Sequence, residues 1–186
     1  MSKVLFYFCV LFLNYAAQAQ RIVPYYGPFP EPAPNQHVMF YLQRTVDRNT
    51  VIYELNYDAS GELNPKKPLK IYWIDFENGA RITPLTFAQS KFAYGIESEI
   101  SDEKKKIFRI NLVSYKKVKL ILKPTGKNNQ YQTHVLIKGK PAILIKIHVN
   151  IIGGTHISPV VSYLELVGQE LDTGLIITER IKPGRD

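Results

Sequence analysis

The side chains able to move protons, hold metals or attack a carbonyl are few and scattered. The four histidines, His37, His134, His148 and His156, stand in no HExxH, HxH or Cys/His arrangement. A metal centre needs such spacings or a carboxylate cluster, so no metal ligand is expected. A short hairpin across 131–149 could still bring two histidines together. With residues 139–140 as its turn, 138 pairs with 141, and His134 then faces Ile145, not His148. There is no GxSxG elbow, no SxxK and no Gly-rich phosphate loop. Gly153-Gly154-Thr155-His156 follows a long apolar run and reads as a bend or exposed loop. Carboxylate chemistry would require two of Asp75, Glu77, Glu97, Glu99 and Glu165 to converge. Polar residues that interrupt apolar strands leave Glu165 and His134 as candidate proton carriers, should the protein be a small hydrolase or transferase.

Positive charge is the other chemically suggestive feature. Lys104, Lys105, Lys106, Lys116, Lys117, Lys119, Lys123, Lys127, Lys138, Lys140 and Lys146 crowd the middle of the chain. A nucleic-acid surface would add arginines and stacking aromatics, and Arg109 is the one arginine in this stretch, so no nucleic-acid partner is expected. Lysines alternating with apolar residues suit the solvated faces and edges of strands, where they discourage sheet-to-sheet association. The remaining functional reading is a basic surface for acidic lipid headgroups or polyanionic glycans.

The elements that must position these groups begin after an export leader. Lys3, the apolar run Val4 to Leu13, and Ala17-Gln18-Ala19 have the order of a secretory signal peptide cleaved after Ala19. The run is too short to span a bilayer, which takes roughly 20 apolar residues, and no later segment approaches that length uninterrupted. Removing residues 1–19 takes the chain from 186 to 167 residues, removes Cys9, its one cysteine, and with Lys3 lowers the net charge from +8 to +7. No disulfide is then available, and stability rests on core packing. Cys-rich zinc and iron–sulfur folds are excluded for the same reason, and no cofactor is expected.

Residues 20–36 form a Pro-rich arm, with prolines at 24, 28, 30, 32 and 34. That density forbids a helix or a central strand. The arm is either a spacer or a strap docked through Tyr25, Tyr26 and Phe29. From residue 37 to 183 β-branched and aromatic runs recur: 37–44, 50–58, 69–76, 105–113, 118–124, 131–138, 141–152, 160–168 and 175–181. Short connections favour antiparallel pairing, because a parallel crossover needs a dozen or more residues. One short helix is expected near 84–93, with Thr83 as its cap, Pro84 at its first position, Leu85 and Phe92 laid on the sheet, and Gly95 as its left-handed closing residue. In 117–123, Val118, Leu120 and Leu122 share the core face; in 143–149, Ile143, Ile145, Ile147 and Val149 share one face, opposed by Leu144, Lys146 and His148. Residues 37–183 therefore read as a single all-β domain, a mainly antiparallel sandwich or alternatively a flattened barrel, with 184–186 as a tail.

The stretches MFYLQRTVDRNTVIYELN (39–56), IYWIDFENG (71–79), LTFAQSKFAYGI (85–96) and GKPAILIKIHVNI with VSYLELVGQELDTGLIITERIKP (139–183) resemble a domain-of-unknown-function family of small exported proteins from Bacteroidota-type bacteria. The resemblance implies a periplasmic or outer-envelope setting and brings no reaction, cofactor or catalytic residue with it. It directs attention to Arg44, Glu54, Trp73, Tyr94 and Lys140 as ligand-binding candidates, which would form an amphipathic pocket if they converged. The competing reading places Trp73 in the core and Glu54 in a cross-strand ion pair. The expectation is thus an exported envelope binding or structural module with no assigned reaction, whose partner is an envelope protein, glycan or acidic lipid.

Overall fold

A computed structural model describes residues 21–126, 130–155 and 158–183. The leader, Lys127, His156 and the tail 184–186 lie outside the described residues. Eleven strands belong to one sheet: β1 Val38–Arg44, β2 Thr50–Leu55, β3 Leu69–Asp75, β4 Arg81–Pro84, β5 Ile96–Asp102, β6 Ile107–Leu112, β7 Tyr115–Pro124, β8 Tyr131–Ile137, β9 Lys140–Gly154, β10 Pro159–Glu170 and β11 Ile176–Ile181. Among the described residues the one α-helix is α1, Phe87–Phe92. The expected mainly antiparallel β fold is present, and the sheet curls into a half-barrel.

The organising strand is β9. One edge pairs with β10 along nearly its whole length. The other edge is shared: β8 takes Lys140–Ile143, and β1 takes Lys146–Val149 in parallel register. The sheet therefore divides into two wings, β1-β2-β3-β4 and β8-β7-β6-β5, which bury one hydrophobic cluster containing Phe40, Tyr53, Leu112, Leu122, Leu144 and Leu166. Parallel β1/β9 pairing is not legible locally, because its partners lie about a hundred residues apart in the chain.

Ile145 sits where the wings part. Val167 pairs with Lys146 and Gly168 with Leu144, so Ile145 is an extra residue bulged out of the ladder. The bulge reverses the facing: Ala142 and Leu144 are buried before it, Ile147 and Ile151 after it. The expected common face of Ile143, Ile145 and Ile147 is broken for this reason. On β7 the alternation is as expected, with Val118, Leu120 and Leu122 buried and Lys119 and Ile121 exposed between them.

The β8/β9 register also differs from the expectation. Lys138 and Gly139 both have positive φ, 52° and 76°, and form the two-residue turn, so Ile137 pairs with Lys140 and His134 faces Ile143. Such a turn matches the right-handed twist of its strands, which favours it over one centred on 139–140.

Thr83 and Pro84 end β4 and do not start the helix: they pair with Trp73 and Tyr72. Since β4 is an edge strand, a proline there forfeits no central ladder bond. The cap is Thr86, whose Oγ accepts from the Gln89 amide at 3.3 Å while Gln89 Oε1 accepts from the Thr86 amide at 2.9 Å. Phe87 and Phe92 are 78% and 67% exposed, so the helix does not lay Phe92 on the sheet; Leu85 packs against the core. Thr86→Ala is expected to lower stability by about 1 kcal/mol in urea unfolding, since it removes one half of this reciprocal cap. An unchanged midpoint would show that the helix is held by other contacts.

Residues 21–35 are a strap on the sheet. Ile22 donates its amide to Gly154 O at 3.1 Å, Gln43 Nε2 donates to Pro30 O at 2.8 Å, and Phe29 meets the His148 ring edge-on at 5.0 Å. Pro32, Pro34, Val38 and Ile52 line a common surface depression. This cover accounts for β1 and β2 being buried at consecutive positions, where a half-exposed strand would alternate.

Candidate functional site

Three of the five ligand-binding candidates converge. Arg44 ends β1, Trp73 lies in β3 and Tyr94 follows α1. The guanidinium carbon stands 4.7 Å from the Trp73 ring centre and 5.3 Å from that of Tyr94, and the two rings meet edge to face at 4.9 Å. Arg44 donates to the Tyr94 hydroxyl and to the Asp47 carboxylate. Tyr53 Oη donates to the Tyr94 carbonyl at 2.8 Å, and Trp73 Nε1 donates to Gln89 Oε1 at 3.4 Å. Burial pushes the Tyr94 hydroxyl above its ordinary range against the opposing pull of Arg44. The cluster is closed: Arg44 and Asp47 side chains are 16% and 17% exposed, and their charges face each other. Chemically it is a cation clamp that pins the β1–β2 turn, β3 and the helix corner together.

Glu54 and Lys140 lie elsewhere. Glu54 accepts from Tyr72 Oη at 2.6 Å and pairs with Lys70 at 3.1 Å. Lys140 pairs with Glu170 at 2.6 Å. Of the candidate proton carriers, Glu165 accepts from Arg180 Nε at 2.7 Å, and Arg180 in turn covers the Tyr163 ring at 4.7 Å. Several basic side chains are likewise engaged, Lys116 with Glu97 and Arg109 with Glu99 across strands and Lys106 with Glu62 between connecting segments. Among the described residues no group of three or more His, Cys, Asp and Glu could hold a metal. Among the described residues no helix is long and apolar enough to cross a membrane, which leaves spanning by strands unaddressed.

His134 opens a second locus. The β7/β8 ladder runs from Pro124↔Tyr131 to Ile121↔His134 and then stops. Beyond it β8 continues against β9, and β7 continues against β6. The two strands part as a fork and leave a groove of about 550 Å³. Val118 and Ile121 of β7, Val135 and Leu136 of β8, Leu166 of β10 and Ile181 of β11 make its apolar lining. Lys119, Lys123, His134 and Glu179 supply its polar groups. The strand periods alone did not reveal it, since the fork arises from where pairing ends; the lysine and isoleucine alternation of 117–123 was its one sequence trace.

Burial, then the nearby Lys123 charge, lowers the His134 imidazole from 6.5 to about 4. The folded state thus holds fewer protons than the unfolded chain between these values. Stability is full above about pH 6.5 and falls as pH drops toward 4. His134 is expected to stay neutral at pH 5 by imidazole NMR, and His134→Gln to flatten the stability loss over that window. Titration near 6.5 would contradict the buried placement.

The fold and groove define a class, a half-barrel β protein with a parted hairpin in its wall. Residues 40–180 match the family described as Domain of unknown function (DUF4833), and the chain belongs to that family. Neither the curated proteins nor the solved structures include a significant match.

Proposed function

We propose that the protein is an exported binding module of the cell envelope, processed after Ala19, with no reaction of its own, and that its ligand seat is the forked groove between β7 and β8. The observation carrying this reading is the end of the β7/β8 ladder at Ile121↔His134, which opens an apolar groove of ligand-binding size. The leader and the likeness to small exported Bacteroidota-type proteins support the envelope setting. Two facts favour binding over catalysis: Glu165 is engaged by Arg180, and it does not line the groove that holds His134.

Two measurements test the reading. N-terminal sequencing of the chain recovered from the periplasm should begin at Gln20; recovery of the intact leader in the cytosol would overturn export. Sodium laurate, or a peptide of alternating glutamate and valine, should shift the NMR signals of Val118, Val135 and Leu136 saturably. If neither probe perturbs them at millimolar concentration, the groove is not the seat.

A further inference from the structure

Building on the groove as ligand seat, we infer that its ligand is a long-chain fatty acid, with the carboxylate at Lys123 and His134 and the acyl chain laid along the groove toward Gly139. The argument starts from the lining, which is aliphatic. Val118, Val135 and Leu166 contribute buried side chains to it, and Ile121, Leu136 and Leu171 contribute exposed ones. Among the described residues no aromatic side chain lines the groove. Exposed aliphatic side chains gathered on one groove mark surface that a ligand covers, and about 550 Å³ is within the range of a site for one small ligand. A peptide would bring an N–H and a C=O with every residue, and aliphatic side chains match none of these. An acyl chain brings no polar group beyond its head.

The polar groups decide the head and its direction. Lys123 pairs with Gln132 and Ile121 with His134 at the end of the β7/β8 ladder, so Lys123 and His134 are diagonal neighbours where the fork closes. The other end is the Lys138-Gly139 turn, where Glu179 Oε2 accepts from the Lys138 amide at 2.6 Å. A negative head is therefore drawn toward Lys123 and repelled by Glu179. Lys119, on the same face of β7, donates to the neutral Asn111 Oδ1 at 3.3 Å. Among the described residues no carboxylate pairs with Lys119 or Lys123, so their charge is open to a ligand. The neutral His134 ring keeps one N–H to donate. Among the described residues no arginine lines the groove to form the planar fork that favours a phosphate, and a carboxylate head suits point charges.

The experiment uses isotope-labelled protein as processed by the cell. The probes are laurate below its micelle concentration, hexanoate, dodecyltrimethylammonium, and an acetylated peptide of alternating glutamate and valine. Laurate is expected to shift the Val118, Val135 and Leu136 methyl signals and the His134 ring signals saturably. It should bind at least about thirty-fold more tightly than hexanoate, because each buried methylene adds to affinity. The cationic probe, with the same length of chain, should bind at least about ten-fold more weakly than laurate. Lys123→Gln should weaken laurate at least about five-fold. Leu136→Ser, at an exposed position, should weaken it about ten-fold, and both variants should keep the unfolding curve followed at Trp73. Equal affinity for the anionic and cationic probes, or no loss in Lys123→Gln, overturns the carboxylate at Lys123. Equal affinity for laurate and hexanoate overturns the acyl chain. If the peptide shifts the groove residues and laurate does not, the groove reading stands and the fatty-acid inference falls. If neither binds, both fall.

Discussion

Arg44→Ala lowers the unfolding free energy by about 3 kcal/mol, read by urea denaturation at Trp73. Trp73 is the chain's one tryptophan, so its emission reports this cluster directly. The variant loses two ring contacts, at 4.7 and 5.3 Å, and the donors to Tyr94 and Asp47. It also leaves the Asp47 carboxylate, largely buried, without its cation; the Asn49 amide still donates to it at 3.0 Å, which moderates the loss. Arg44 Nε is buried with no hydrogen-bond partner, and truncation removes that cost, so the expected loss stays below the upper end for broken buried pairs. Arg44→Lys keeps the charge and loses the planar fork, and should recover less than half of the deficit. A change within about 0.5 kcal/mol for Arg44→Ala would sink the clamp and return Arg44, Trp73 and Tyr94 to the list of ligand contacts.

Gly95→Ala is expected to cost about 3 kcal/mol or more and to change Trp73 emission in the folded state. A Cβ at position 95 would stand 1.8 Å from the Ser90 carbonyl oxygen, a backbone atom with no rotamer to change. The corner between α1 and β5 must open to admit it. That corner carries Tyr94, whose carbonyl accepts from Tyr53 and whose ring flanks Arg44. Gly95 is therefore required for close approach; it is not among the residues with positive φ, so it does not close the helix as a left-handed residue. Gly79 provides the contrast. It has φ of 80° with open space at its Cβ, and Gly79→Ala should cost only about 1 kcal/mol from backbone strain. Equal effects at the two positions would show that the Ser90 contact does not control the corner.

The two loci were unequally legible. Trp73, Tyr94 and Arg44 are candidates in the sequence and do meet, while Glu54 and Lys140 pair with opposite charges in their own neighbourhoods. Asp47 carries no sequence signal, because a carboxylate in a turn looks solvated until an arginine from the preceding strand reaches it. Strand positions were mostly readable from β-branched runs and turn residues. The exceptions were β4 and β5, where Thr83-Pro84 imitates a helix start and Ile96–Asp102 is largely exposed.

The lysine excess and the alternation along β7 follow from residue order alone, because neighbouring side chains on a strand must face opposite ways. Predominantly antiparallel β structure follows too, because short connections permit little else. The export reading rests wholly on residues 1–19. Tertiary structure alone decided that β1 lies parallel to β9, that Ile145 bulges and reverses the face of its strand, and that β7 and β8 part at Ile121↔His134. These are pairings between distant segments, settled by how two wings share one edge of β9, and a strand's period records its facing without recording its partner.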